Sequence, residues 1–152
     1  MKKDYIITGS LDRPLRLSVY SGHDVSAVVI VVHGMQEHSG RYENFAKNMV
    51  DRGIAVITSD LRGHGANVLS RPGADQGNIF LNIVDDQIAI IAEARKLFPD
   101  KKLVVLGHSY GSFVTQRLIQ LRADADLFIL SGSSYMKGLV ITMGRGLAKL
   151  TA

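Results

Sequence analysis

The chain has 152 residues, of which 46% are hydrophobic and 21% charged, which suits one domain with a hydrophobic core. It contains no cysteine, which excludes disulfides and a thiolate nucleophile and fits a reducing compartment. The formal net charge of +4 comes from scattered residues, without basic runs or interleaved aromatic residues, so nucleic acid is not an expected partner. No apolar run approaches the roughly 20 residues that span a bilayer and no signal-peptide pattern is evident, so we expect a cytoplasmic protein.

The first predicted elements are a hairpin and a central strand. Short β-type runs at 4–8 and 15–20 flank a turn-like segment that contains Gly9 and Pro14, which predicts an antiparallel hairpin. Residues 25–32 form a nearly continuous apolar run, mostly β-branched. Such a run suits a parallel strand that is covered on both faces.

Helices and strands alternate over the rest of the chain. Apolar residues at helical spacing from Tyr42 to Val50 predict a helix, with Gly53 at its C-terminal stop. The later patterns predict strands at 54–58, 103–106 and 127–130, helices at 79–98 and 110–121, and a loop at 60–73. This alternation predicts an α/β fold, in which a mostly parallel sheet is covered by helices on both faces.

The strand at 103–106 runs directly into Gly107-His108-Ser109-Tyr110-Gly111, and a predicted helix follows at once. Gly-x-Ser-x-Gly between a strand and a helix is typical of a nucleophile elbow, in which a sharp turn presents the serine hydroxyl above the sheet edge. Gly107 and Gly111 meet the need for small residues, since larger side chains there would collide with the packed strand and helix. The alternative is a serine-capped turn without catalysis.

Acyl transfer by Ser109 requires two backbone N–H donors for the oxyanion. We predict that Tyr110, directly after the serine, supplies one donor. Met35 supplies the other, from the loop His33-Gly34-Met35 that follows the strand at 25–32. For His33, Gly34 and His108 we expect roles in shaping the loops, like those of the two elbow glycines.

Three motifs together resemble the monoacylglycerol lipase and lysophospholipase branch of the α/β-hydrolases. They are the oxyanion-loop segment His33-Gly34-Met35-Gln36-Glu37-His38-Ser39-Gly40-Arg41-Tyr42, the loop Asp60-Leu61-Arg62-Gly63-His64-Gly65 and the elbow at 107–111. The resemblance implies the α/β-hydrolase fold, with strand order 1-2-4-3-5-6-7-8 and a lid after strand six. Tyr110 and Ser112 depart from the methionine and glycine that the family often has there.

The same resemblance implies a serine carboxylic-ester hydrolase. Its substrate would be a monoacylglycerol, a lysophospholipid or a small acyl ester, cleaved through an acyl-enzyme on Ser109 without a metal or an organic cofactor. The family places the triad acid after strand seven and the base histidine after strand eight, whereas this sequence ends at Ala152. We therefore expect a hydrolase core truncated after strand six over 1–135, and little or no activity from this chain alone.

Two further expectations concern partners. Strand 127–130 would be an apolar edge, which predicts self-association. Residues 136–152 would begin the lid, where an apolar stripe with interspersed Lys137, Arg145 and Lys149 predicts weak contact with a membrane surface or packing against its own domain.

Several alternatives remain open at this point. Serine aminopeptidases and other acyl hydrolases share the elbow, and a truncated hydrolase scaffold could serve as a non-catalytic binding protein. One of His38, His64 and His108 could serve as a substitute base, or all three could only shape the loops. The histidines also suggest a metal site, but they lack the helical pairing and the carboxylates at ligand spacing that zinc sites use.

Overall fold

The structure is a computed structural model that describes residues 1–68 and 77–134. It opens with the predicted antiparallel hairpin, formed by β1 (Lys2–Thr8) and β2 (Pro14–Tyr20). A short 3-10 turn at Ser10–Asp12 connects the two strands. The hairpin prediction is confirmed.

Four parallel strands follow and complete a six-stranded sheet in the order β1-β2-β4-β3-β5-β6. They are β3 (Ala27–Val32), β4 (Ile54–Ser59), β5 (Lys102–His108) and β6 (Leu127–Ser131). The hairpin joins the others through antiparallel pairing of β2 with β4, and β3 lies in the centre between β4 and β5. The predicted α/β fold is confirmed, and the implied strand order is confirmed for these six strands.

Helices cover both faces of the sheet, as the alternation predicted. They are α1 (Glu43–Val50), α2 (Ile79–Leu97) and α3 (Tyr110–Gln120). Side chains alternate between the two faces of a strand, so β3 contributes to two cores. Val29 and Val31 pack with Ala46 of α1, whereas Ile30 packs in the core that contains residues of α2 and α3.

A buried ion pair ties the hairpin turn to α2. Arg62 donates two hydrogen bonds to Asp86, from Nε at 2.6 Å and from Nη2 at 3.0 Å, and both side chains are almost fully buried. The Ser10 N–H donates to the same carboxylate at 2.7 Å, and the Ser10 carbonyl accepts from Arg62. The turn of the hairpin is therefore held at the loop that follows β4.

Two predicted segments fall outside the described residues, namely the lid at 136–152 and residues 69–73 of the predicted loop. Within the described part of the chain, no helix combines the length and the apolar composition needed to cross a membrane.

Candidate active site

Ser109 lies between β5 and α3 with φ 50° and ψ −115°, a region of backbone conformation that non-glycine residues rarely adopt. The residue is exposed. Its N–H donates to the Ser131 carbonyl at 2.8 Å, and its carbonyl accepts from the Ser112 N–H at 2.9 Å. These bonds, to the end of β6 and to the first turn of α3, hold Ser109 in its strained turn.

The two glycines of this turn occupy places where no side chain fits. A Cβ on Gly107 would lie under 3.0 Å from the Thr115 hydroxyl and from the Gly111 carbonyl. A Cβ on Gly111 would lie under 3.0 Å from the Val32 carbonyl. The tight contact at Gly111 is with the backbone of the neighbouring strand β3, so it cannot be relieved by a side-chain movement.

His33 links the loop after β3 to the loop after β4. Its buried ring accepts a hydrogen bond from the Leu61 N–H at Nε2, 2.9 Å away, and Nδ1 lies 2.8 Å from the Gly34 carbonyl. This arrangement requires the tautomer in which Nδ1 carries the proton. Burial lowers the pKa of His33 and outweighs the opposing effect of the Gly34 carbonyl, so the ring is neutral near pH 7.

Glu37, to which sequence reasoning assigned no role, joins the loop after β3 to His108 beside Ser109. Its carboxylate accepts from the Gly34 N–H at 2.9 Å and the Tyr42 hydroxyl at 3.0 Å. Its other oxygen accepts from Arg41 at 2.9 Å and lies 3.8 Å from His108 Nε2. Burial alone would raise the pKa of Glu37, but these hydrogen bonds and nearby charges outweigh it, and the pKa is lowered.

Asp60 binds the later part of the loop after β3 and the loop after β4. Its carboxylate accepts from the Ser39 N–H at 2.6 Å and from the Ala66 N–H at 2.7 Å. Burial acts to raise the pKa of Asp60, yet these backbone hydrogen bonds lower it overall. Gly65 lies against this carboxylate with φ +46°, and a Cβ there would be under 3.0 Å from it.

The predicted oxyanion donors line one cleft beside the elbow. Met35 and Tyr110 share a cleft of about 340 Å³ with Gln36, Gly63, His64, Ile79 and Ile83. Gly34 lies against the Ser109 turn, since a Cβ on it would be 3.2 Å from the Ser109 Cβ. The structure therefore brings together Gly34, the Ser109 turn and the residues predicted to supply both amides.

A second cleft, of about 380 Å³, has a more polar lining. It is bounded by Glu37, Arg41, Tyr42, Phe45, Leu106, His108 and Ser131. His108, which lines this cleft, and Tyr110, which lines the first cleft, immediately precede and follow Ser109 in the chain. One therefore offers mainly apolar contacts, and the other offers carboxylate, guanidinium, phenol and imidazole groups.

The histidines near the site are engaged elsewhere. His64 Nδ1 lies 3.0 Å from the Arg62 carbonyl, and its Nε2 is 3.4 Å from the Gln36 N–H. Among the described residues, none of the histidines is hydrogen-bonded to the Ser109 hydroxyl. Over residues 1–68 and 77–134, no group of three or more metal-ligating side chains is found.

The chain is similar in sequence to a known family and to two lipase-type proteins. Residues 23–151 match the model of the family Hydrolase_4, described as serine aminopeptidase, S33. The chain is 33% identical over 89 residues to a monoglyceride lipase homolog of Monkeypox virus, a match that covers 59% of this chain and 31% of that protein. It is 32% identical over 88 residues to the monoglyceride lipase of Homo sapiens, covering 58% and 28% of the two chains.

Solved structures show the same fold. A thermostable carboxyl esterase from Bacillus coagulans superposes with a TM-score of 0.81 at 22% identity, over 99% of this chain and 50% of the esterase. The aligned part is thus about a third of each curated relative named above and half of the esterase.

Proposed function

Because this chain belongs to the Hydrolase_4 family of α/β-hydrolases, we propose that it carries the nucleophile and the oxyanion hole of a serine carboxylic-ester hydrolase. The observation that carries the proposal is the strained turn at Ser109, with φ 50° and ψ −115° at the start of α3. A turn of this kind presents a serine hydroxyl to a substrate at the sheet edge.

In the proposed reaction, Ser109 Oγ attacks the ester carbonyl carbon while a general base takes the hydroxyl proton. The carbonyl oxygen becomes an oxyanion, which accepts hydrogen bonds from the Met35 and Tyr110 amides. The positive end of the α3 dipole adds to this stabilisation. The C–O bond then breaks, the alcohol leaves with the proton, and water cleaves the acyl-enzyme to release the acid.

No described histidine is hydrogen-bonded to the Ser109 hydroxyl, as a general base would be. His33 and His64 use their ring nitrogens in loop contacts, and His108 faces Glu37. We therefore assign the base and its carboxylate partner to polypeptide outside the described residues. Without that base, we expect this chain alone to show only the residual rate that the oxyanion hole and binding provide.

The two clefts support a substrate with an acyl chain on one side and a hydroxylated alcohol on the other. Met35, Ile79, Ile83 and Tyr110 provide apolar surface for an acyl chain. The opposite cleft, with Glu37 and His108 among its lining, suits hydroxyl groups that both donate and accept hydrogen bonds. This division favours a monoacylglycerol or a lysophospholipid, and the two curated relatives are named for the first of these substrates.

A serine aminopeptidase is the second candidate, because the family is described by that activity. An aminopeptidase needs a carboxylate for the substrate's ammonium group. Glu37, whose carboxylate lies 3.8 Å from His108 of the elbow, already accepts from Gly34, Arg41 and Tyr42. An ammonium group would have to displace those partners, which favours an ester substrate over a peptide with a free amino terminus.

Labelling with a fluorophosphonate probe, with and without added imidazole as an external base, tests the proposal. We expect one adduct on Ser109, detected by intact mass and peptide mapping, with imidazole raising the rate about tenfold or more. Ser109→Ala should abolish the adduct, whereas Ser133→Ala, an exposed serine nearby, should not. A folded chain that stays unlabelled even with imidazole would refute the proposal.

The relative rates of hydrolysis of model substrates then distinguish an esterase from an aminopeptidase. Imidazole-assisted hydrolysis of a nitrophenyl ester with a medium-length acyl chain should exceed that of an acetyl ester and of an aminoacyl coumarin amide. A preference for the aminoacyl amide would replace the ester proposal with the aminopeptidase.

A further inference from the structure

The Glu37 carboxylate lies between two parts of the candidate site. Its side chain is only 11% exposed, and its two oxygens face different segments. One oxygen accepts from the Gly34 N–H, and the other lies 3.8 Å from Nε2 of His108, the residue before Ser109. A single carboxylate therefore lies beside the loop that carries one proposed oxyanion donor and beside the turn that carries the proposed nucleophile.

The hydrogen bonds of Gly34 determine where the Met35 N–H points. The Gly34 N–H is held by Glu37, and the Gly34 carbonyl lies 2.8 Å from His33 Nδ1. The Gly34 carbonyl and the Met35 N–H belong to one planar trans peptide and point in opposite directions, so the Met35 N–H points away from His33. Glycine allows unusually free rotation between two neighbouring peptides. Without Glu37, His33 would be the only one of these two anchors left.

The turn that contains Met35 also depends on contacts with its surroundings. Gln36 adopts φ 57°, in the left-handed region that residues other than glycine rarely adopt. Such a conformation persists where surrounding contacts hold it. Glu37 provides such a contact, since its carboxylate reaches back three residues to the Gly34 N–H.

The charge of Glu37 by itself would oppose the proposed reaction, because a carboxylate near Ser109 repels the negative charge that develops on the substrate oxygen. Arg41 counters that charge with a guanidinium 2.9 Å from the carboxylate, and the Tyr42 hydroxyl donates to it at 3.0 Å. The value of this carboxylate therefore lies in its geometry. Its two oxygens can accept the Gly34 N–H, the Tyr42 hydroxyl and Arg41 at the same time.

We propose that Glu37 is a positioning residue for the reaction of Ser109, and that its hydrogen bond to the Gly34 N–H directs the Met35 amide toward the substrate oxygen. This inference rests on the proposed function, because it requires the Met35 amide to be an oxyanion donor. Donors that are already oriented stabilise a transition state without having to turn during the reaction. Without Glu37, the Met35 amide should be correctly oriented in only a fraction of the molecules, and formation of the oxyanion should slow.

Fluorophosphonate labelling with imidazole, on variants shown by circular dichroism to be folded, tests this role. The leaving group of the probe is fluoride, so a lost contact with an alcohol in the polar cleft cannot slow the reaction. We expect Glu37→Ala to lower the rate of Ser109 labelling about tenfold or more, since removal of an oxyanion donor outright costs roughly 10²–10³-fold.

Two further variants separate the acceptor oxygen of Glu37 from its charge. Glu37→Gln keeps a carbonyl oxygen that can accept from the Gly34 N–H and should restore most of the rate, because exposed Arg41 can turn away from the new amide. Glu37→Asp keeps the charge but shortens the side chain by a methylene group, so it should lose rate as Glu37→Ala does.

A thiono analogue of the probe, in which sulfur replaces the phosphoryl oxygen, separates positioning from general damage to the site. Sulfur is a weak hydrogen-bond acceptor, so Glu37→Ala should slow labelling by the analogue less than about threefold. A displaced Ser109 would slow both probes equally. The matched control is Glu43→Ala, which removes an exposed carboxylate that pairs with Lys47 at the start of α1 and should leave both rates unchanged.

The inference is overturned if Glu37→Ala is labelled as fast as the wild type, if it is slowed equally with both probes, or if Glu37→Gln loses as much rate as Glu37→Ala. In each of these results the wild-type chain is still labelled on Ser109, so the proposed function stands. A folded wild-type chain that stays unlabelled with imidazole would instead refute the proposed function, and with it any role of Glu37 in the reaction.

Discussion

Replacing Ser109 by glycine should give a more stable protein than replacing it by alanine. A non-glycine residue held at φ 50°, ψ −115° carries roughly 1–3 kcal/mol of backbone strain. Glycine relieves that strain but loses about 0.5–1 kcal/mol more conformational entropy on folding. Because both substitutions remove the hydroxyl, their difference isolates the backbone, and the glycine variant should be more stable by about 0.5–2 kcal/mol.

Thermal or urea unfolding followed by circular dichroism measures this difference. For a domain of about 150 residues, 1 kcal/mol shifts Tm by about 2–4 °C. Ser26 provides the matched pair, because its hydroxyl donates one hydrogen bond, to the Gly53 carbonyl, and its φ is not in the left-handed region. At Ser26, alanine should be the more stable replacement. If alanine is also the more stable replacement at Ser109, the turn is not strained, and the main support for Ser109 as nucleophile is lost.

Three other perturbations have clear expected outcomes. Gly111→Ala should cost about 3 kcal/mol and abolish Ser109 labelling, because the new methyl group meets the Val32 carbonyl. Asp86→Asn should cost about 3 kcal/mol in urea unfolding, because it removes the carboxylate charge that pairs with the buried Arg62 guanidinium. For His33, burial lowers the pKa in the folded state, so as the pH falls the unfolded chain takes up the proton before the folded chain does. The contribution of neutral His33 to the free energy of unfolding is therefore complete above about pH 6.5 and is lost as the pH falls through the lowered pKa of the folded state.

Each of these predictions has a control. Gly22→Ala adds the same methyl group 3.7 Å from its nearest neighbour and should be nearly neutral. Asp124→Asn breaks an exposed pair with Arg95 and should change stability by less than about 1 kcal/mol. His33→Asn should flatten the dependence of unfolding free energy on pH below 6.5; an unchanged slope would assign that dependence to other groups.

Local sequence patterns predicted the elements that depend on nearby residues. The alternation at 4–8 and 15–20 identified the hairpin, and the apolar run at 25–32 identified the central strand, although β3 begins only at Ala27. Helix α2 ends at Leu97, one residue before the predicted end. These predictions succeeded because hydrophobic periodicity is set within a single strand or helix.

Contacts between distant segments were not predictable in the same way. The Arg62–Asp86 pair joins residues 24 positions apart and holds the turn at Ser10, 76 positions from Asp86. Glu37 meets His108 across two loops that only the parallel sheet brings together. In the sequence the carboxylates of Asp86 and Glu37 look like ordinary surface charges. Glu37 also has partners close by in the chain, but its approach to His108, like the pairing of Asp86 with Arg62, depends on the tertiary fold.

The sequence by itself therefore determined the α/β alternation, the elbow at 107–111 and the need for small residues in it, because each depends on the chain within one turn. The tertiary structure alone decided which backbone crowds Gly111, how Glu37 and Asp60 bind the loop after β3, and that the two neighbours of Ser109 in the chain line clefts of different polarity. Those features arise where β3, β4 and β5 end side by side. They depend on strand order and packing, which bring together side chains that are far apart along the chain.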